Sequence, residues 1–436
     1  MNRLSIAPAL LGLLLVGCFD DATTVDPEPS TPSPNPVPQA KAAAPDAGIT
    51  PIYVSVGAHL ENKLPVPCGN PGCDTHCKDA YLKLRGNVVD YAKLMQRYGV
   101  SYNVQTNWHM IELENACTDD AIRKSTTNGK HVLVYLVEDL GVMIDPHAHE
   151  NQTERYDTSY NYADIMQLIA DQGIPAETLS VVGGCIVGSD YQWDQFAGGY
   201  QGNHYPQTRW TPEAFTFAAV HDHNPVGEDF TSGVWRPSAF DWEPAAGRQG
   251  PGFYTHDPNG AYAMIGSGNL HHCAGGYRMG DFWVASDYIE VLASHIASGK
   301  APGGRMYTAT VAMNQRHFKD PATYMPMLEM QLEALKPLVE SGQVIYAHFQ
   351  EIPDIWASRY DSQPNLYRYD NIDPADYTCD GNGNGIGKRA GAVPMKSQGQ
   401  GKGAKQRSQQ DERPQGQRPQ GGGGRGGGKK AGGGKR

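Results

Sequence analysis

The run Lys130-His131-Val132-Leu133-Val134-Tyr135-Leu136-Val137-Glu138-Asp139-Leu140-Gly141-Val142-Met143-Ile144-Asp145-Pro146-His147-Ala148-His149-Glu150 contains a helix, its stop, a strand and a polar turn. Apolar residues from Lys130 to Leu140 recur at amphipathic helical spacing. Gly141 ends the helix, because glycine enters the left-handed conformation without a Cβ penalty. Val142-Met143-Ile144 reads as a short buried strand, and the polar segment Asp145 to Glu150 follows it.

The same unit recurs in both directions. Upstream, Pro51 to Gly57 reads as a strand, a cysteine-rich loop follows, Val88 to Tyr98 as a helix closed at Gly99-Val100, and Ser101 to Thr106 as a strand. Downstream, helix Tyr162 to Gln172 closes at Gly173 and precedes strand Leu179 to Val187. Helix Tyr288 to Ala297, strand Arg305 to Met313, helix Tyr324 to Glu340 and strand Val344 to Phe349 complete the series. The stretch 189–273 is aromatic-rich and irregular and reads as an insertion. Helix-length crossovers between strands imply a parallel sheet, and their number predicts a (β/α) barrel over residues 50–378.

Such barrels keep their chemistry at the carboxyl ends of the strands. Those positions are His59 and Glu61, Asn107 and His109, Asp145 through Glu150, then His348, Gln350 and Glu351. His147 and His149 carry the sharpest signal. In extended backbone, residues two apart face the same way, so both imidazoles can converge on one divalent metal, zinc first, with Asp145 on that side to complete or orient the set.

Leu140 through His149 resembles the metal-motif segment of the polysaccharide deacetylase (NodB-like) group of carbohydrate esterases. Their fold is a distorted (β/α) barrel in which a glycine-terminated helix, a strand and a histidine motif follow one another. The likeness runs loosely from residue 51 to about residue 357 and includes the closing strand with Glu351-Ile352. It implies metal-assisted removal of an N- or O-acetyl group from a glycan. On that reading His147, His149 and Asp145 hold the metal, with Glu61 a second carboxylate. A base at His59 or Glu61 takes the water's proton, and His348, or failing it His317, protonates the leaving group. Two departures stand out. The family's histidines have three residues between them and these have one, and its paired first-strand aspartates are here replaced by Ser55-Val56-Gly57-Ala58-His59-Leu60-Glu61.

Two other readings compete. Ile144 to His149 also resembles the first-strand metal motif of amidohydrolases, although that fold would begin its barrel here and two strands already precede it. A non-catalytic, glycan-binding surface lipoprotein is the third. Tyr191, Trp193 and Trp210, with Phe196, Tyr200 and Tyr205, offer flat rings on which a polysaccharide or peptidoglycan-like glycan can stack, or which can close a small core. His221-Asp222-His223 is a weaker metal candidate. Asp380 to Ile386 opens like a calcium loop but has Gly391 where the bidentate glutamate belongs.

The termini set the compartment. Arg3 and the apolar run Ile6 to Val16 have signal-peptide form, and Leu15-Val16-Gly17-Cys18 resembles a bacterial lipobox, which implies lipidation at Cys18 after cleavage of residues 1–18. Acyl chains attach a protein to a membrane without spanning it. Residues 19–49, with Pro27, Pro29, Pro32, Pro34, Pro36 and Pro38, read as a disordered, extended linker. The expected location is the cell envelope, with Phe19 and Asp20 leaning toward the outer membrane. Residues 379–436 read as a disordered tail. From Lys388 onward it holds 13 of the 36 Lys and Arg but only 2 of the 47 Asp and Glu, so a basic tail follows an acidic globule. Such a tail suits anionic surface polymers; an exported chain meets no specific nucleic acid. Beyond Cys18, an odd set of cysteines remains, and Cys68, Cys73 and Cys77 beside His76 read as a disulfide-stapled loop rather than a zinc site.

Overall fold

The computed structural model describes residues 48–60, 73–148, 159–185, 193–217, 231–243, 248–268, 283–368, 377–379 and 385–387. The leader, nearly all of the linker and most of the tail lie outside them. Among the described residues no helix is long and apolar enough to cross a membrane.

Strand β1 (Ile52–His59) is followed by helix α1 (Thr75–Arg97), β2 (Tyr102–Thr106), α2 (Trp108–Cys117), α3 (Asp120–Thr126), α4 (Val132–Leu140) and β3 (Met143–Pro146). Next come α5 (Tyr162–Ala170), β4 (Val181–Cys185), β5 (Ala214–Phe217), β6 (Val234–Trp235), β7 (Ala263–Ile265) and α6 (Trp283–Ala297). The series ends with β8 (Tyr307–Asn314), α7 (Gln315–Lys319), α8 (Pro321–Glu340), β9 (Val344–Tyr346) and α9 (Glu351–Tyr360). The chain is thus a mixed α/β fold built on a parallel sheet in the order β8-β1-β2-β3.

β1 is central and has three partners. β8 runs along one side for its whole length, Ile52 opposite Tyr307 through His59 opposite Asn314. The other side is divided: β9 pairs with Ile52 to Val54, and β2 takes over from Val56 to His59. The predicted strand Val344 to Phe349 therefore stops at Tyr346. Beyond it the chain turns away, because the His348 N–H is taken by Glu351 Oε2 at 2.8 Å as α9 begins.

The stretch 189–273 departs most from expectation. It supplies β5, β6 and β7, which join β4 in a second sheet ordered β4-β5-β7-β6, with only the β7–β6 pair antiparallel. Tyr53 of β1 packs in one core with Val181, Ala214, Val234, Ala263 and Ile265, so the two sheets face a shared interior. Backbone and side-chain bonds bring the β6–β7 edge against β8: Thr310 N–H donates to Ser267 O at 2.7 Å, and Gly233 N–H to Thr308 Oγ1 at 2.8 Å. No backbone ladder joins β3 to β4 among the described residues.

Helix α1 starts at Thr75 rather than Val88. Asp74 caps it by accepting the Cys77 N–H, and Tyr81, Leu84, Arg85 and Val88 continue the buried stripe toward its start. The staple differs from a closed local loop: Cys73 bonds Cys117, clamping the start of α1 to the end of α2, with a Cα–Cα distance of 5.4 Å. Cys77 is also disulfide-bonded, and Cys68 lies outside the described residues.

The cap of α4 gives the fold an acid sensitivity. His131 Nδ1 accepts the Leu133 N–H at 3.2 Å, so the neutral ring carries its proton on Nε2, which has no partner. Burial pushes this imidazole from 6.5 down to about 4, while Glu114 pulls the other way. Between those values the unfolded chain binds the proton and the folded one does not, so stability falls as pH drops from 6.5 to 4 and this contribution is gone below 4. We expect His131→Asn, which keeps a capping oxygen, to lack this loss. Urea midpoints should show the wild-type-minus-variant difference shrinking by up to about 3 kcal/mol across that window; a pH-independent difference would refute the assignment.

Candidate functional site

Register assembles a polar row at the carboxyl ends of the first sheet. His59 lies opposite Gln105, and Gln105 opposite Asp145. All three are buried, and His147 follows Asp145 on the same face. β4 forms the wall facing them. His147 Nδ1 lies 2.7 Å from Gly183 O; a carbonyl only accepts, so Nδ1 carries the proton and the lone pair of the neutral ring sits on Nε2. The His59 ring stands edge-on to His147, with centroids 4.7 Å apart.

That approach depends on two glycines. A Cβ on Gly184, whose φ is +64°, would fall 1.8 Å from His59 Cε1. One on Gly183 would fall 2.9 Å from both Asp145 Cβ and Gln105 Cγ. Thr216 of β5 completes the wall: its Oγ1 accepts from Gln105 Nε2 at 3.1 Å and from the Gly184 N–H at 2.8 Å, and donates to Val182 O.

Asp145 sits in a cage of carboxamides. Asn103 Nδ2 donates to Oδ2 at 3.1 Å, Gln350 Nε2 donates to Oδ1, and Gln105 adds a further bond. Burial raises this carboxyl to about 7, while the three amides favour its ionised form. Asn103 also reaches across to His348, whose Nδ1 is 3.2 Å from Asn103 Oδ1. Burial lowers His348 to about 4, against the backbone of Tyr102, which favours a proton on the ring.

Of the residues singled out in the sequence, His59, Asp145 and His147 come together, and His348 joins them through Asn103. Glu61, His149 and Tyr191 lie outside the described residues, as does the side chain of Trp193. His221-Asp222-His223 and Asp380 also fall outside them. Trp210 does not present a face to a ligand: it is 5% exposed, donates from its indole nitrogen to Leu179 O, and packs edge-on to Phe196. His317 is buried at α7, with its ring edge-on to Tyr324 and its carbonyl accepting from Tyr91. Asn107 proves to be the N-cap of α2. Asn103, Gln105, Gly183 and Gly184 were missed. Alternation along β2 could have found the two amides, since polar residues at two-residue spacing in a buried strand need partners. A glycine pair inside a strand signals close backbone approach.

The residues fit a metal in part. A histidine that gives its second ring N–H to a backbone carbonyl has the orientation of a metal ligand, and His147 has it. Asp145 instead spends its oxygens on amide donors. Among the described residues, three side chains with donor atoms close enough for one ion occur only at Cys73, Cys77 and Cys117, which are disulfide-bonded.

No family model matches the chain, and no curated protein matches it significantly. Among solved structures, a crystal structure of Puue allantoinase aligns with 72% of this chain and 92% of its own, at a TM-score of 0.38 and 12% identity. A likeness at that level does not bear on the chemistry of the site.

Proposed function

We propose that this chain is an exported, lipid-anchored hydrolase of the cell envelope that removes acetyl groups from a glycan with the help of a divalent metal, zinc first. The observation that carries the reading is the His59–His147 pair at the strand ends, with Nδ1–H of His147 committed to Gly183 O. The glycan and the acetyl group rest on the sequence resemblance, and the envelope on the lipobox at Cys18.

On this reading His147 and His59 hold the ion, and a further ligand comes from His149 or Glu61. When bound, the metal would polarise the acyl carbonyl and ease ionisation of water. Gly183 O fixes the tautomer of His147. The Asp145 cage holds β2, β3 and the turn before α9 in one arrangement, so the mouth of the site is rigid before substrate arrives.

The test is the metal content of the purified full-length protein beside His59→Ala and His147→Ala variants. Near-stoichiometric zinc or another transition metal in the wild type, lost in both variants, is the expected result. A folded wild type that takes up none, even with excess zinc, overturns the reading and leaves a glycan-binding lipoprotein ahead of it.

A further inference from the structure

We infer that Asn103 is the positioning residue of this site: its carboxamide fixes the His348 imidazole with the proton on Nδ1 and ties that ring to Asp145. Every hydrogen-bonding capacity of this side chain is used. Nδ2 gives one hydrogen to Asp145 Oδ2 at 3.1 Å and the other to Gln350 Oε1 at 2.9 Å. Oδ1 must then be the acceptor, and it faces both His348 Nδ1 at 3.2 Å and the Phe349 N–H at 3.4 Å. The Tyr102 backbone also favours a proton on this ring, and the Asn103 contact selects Nδ1 to carry it. Reversing the amide would set Nδ2 against the Phe349 N–H, donor against donor, and would strip Asp145 and Gln350 of a donor.

The consequence concerns the direction of proton movement. With Nδ1 protonated, the neutral ring has its lone pair on Nε2. The resting His348 is then a proton acceptor, whereas the sequence resemblance cast it as the donor to the leaving group. In the forward step Nε2 would take a proton from the attacking water as its oxygen bonds to the acyl carbon, leaving an imidazolium whose Nδ1–H still rests on Asn103. Its Nε2–H then passes to the departing oxygen or nitrogen as the acyl bond breaks. Asn103 lies where β1 changes partner from β9 to β2, so one side chain links β2, β3 and the turn into α9. This role rests on the proposed hydrolase reading for its purpose, but not for its test.

The test is ring-nitrogen NMR of the full-length protein labelled with [15N]histidine, with His348 assigned through His348→Gln. The wild type should show protonated Nδ1 and lone-pair Nε2. Asn103→Ala should lose that tautomer, Asn103→Asp should keep it because an acceptor remains, and Gln350→Ala should keep it because the Asn103–His348 bond is untouched. Nε2–H in the wild type, or an unchanged tautomer in a folded Asn103→Ala protein, overturns the inference. Should Asn103→Ala not fold, the wild-type spectrum alone still decides against it or, with Asn103→Asp and Gln350→Ala as expected, for it. Metal content is read separately, so a metal-free protein with Nδ1–H at His348 would remove the hydrolase reading and leave the positioning of His348 standing.

Discussion

Replacing Gly184 by alanine should dismantle the histidine pair. The new Cβ would occupy the place of the His59 ring, 1.8 Å from Cε1, and within 2.9 Å of both ring nitrogens. The backbone offers no escape, because a φ of +64° costs an L-residue about 1–2 kcal/mol before any clash. His59 must leave its rotamer or β4 must move, and moving β4 also breaks the Gly184 N–H bond to Thr216 and the Gly183 carbonyl bond to His147. The expected result is a clear fall in thermal midpoint and, on the proposed hydrolase reading, loss of metal uptake. Gly86→Ala is the control: that glycine lies within α1 with nothing near its absent Cβ, so alanine should gain about 0.5–1 kcal/mol and leave metal content unchanged. A Gly184→Ala protein with wild-type stability and metal uptake would show that His59 is not held where described.

The second large effect is expected far from the site. Glu114 is fully buried between four helices, and each oxygen is engaged. Arg85 donates to it from Nε at 2.7 Å and Nη2 at 3.2 Å, Tyr81 OH at 2.8 Å, and the Val132 N–H, at the start of α4, at 3.1 Å. The Arg85 guanidinium also holds Thr126 and Thr127, where α3 ends. Glu114→Ala would strand a buried guanidinium, a hydroxyl and a backbone donor, and we expect a loss of about 3–5 kcal/mol. Removing both charges is a different matter. Arg85→Met with Glu114→Leu should recover much of that loss, because a buried ion pair gains little over packed apolar groups once desolvation is counted. Urea unfolding of the single and double variants measures this. A single variant that costs under about 1 kcal/mol would mean that the network is not closed.

The contrast between the two sheets explains what the sequence could reveal. β1, β2, β3 and β8 are long or repeat the pattern of helix, glycine and strand, so periodicity finds them. β5, β6 and β7 are two to four residues long, too short for any period, and they are held by partners distant in sequence. Of the two roles open to the aromatics of this stretch, those among the described residues close a core: Phe196 contacts Tyr162, Tyr200, Trp210 and Phe215. α2 escaped notice because seven of its ten residues are buried, which narrows the polar face that betrays a helix. At the site the histidines and Asp145 were legible, since such residue types at a strand end carry chemistry. Gln350 was marked as a strand-end position and alternation along β2 points to Asn103 and Gln105, but their closure around Asp145 was not legible, because Asn103 and Gln350 meet only through the pairing of β1 with both β2 and β9.

That pairing also sets an order of assembly. β1 has an early partner in β2, but only for its second half; its first half and its other edge wait for β9 and β8. Until Val344 has left the ribosome, Ile52 to Val54 cannot be paired on both edges. Contacts of such long sequence separation slow folding and leave strand edges open to other chains. His59 has its strand neighbours on both edges only once β8 has emerged, and a chain halted before Tyr307 carries the histidine pair without the strand that closes beside it.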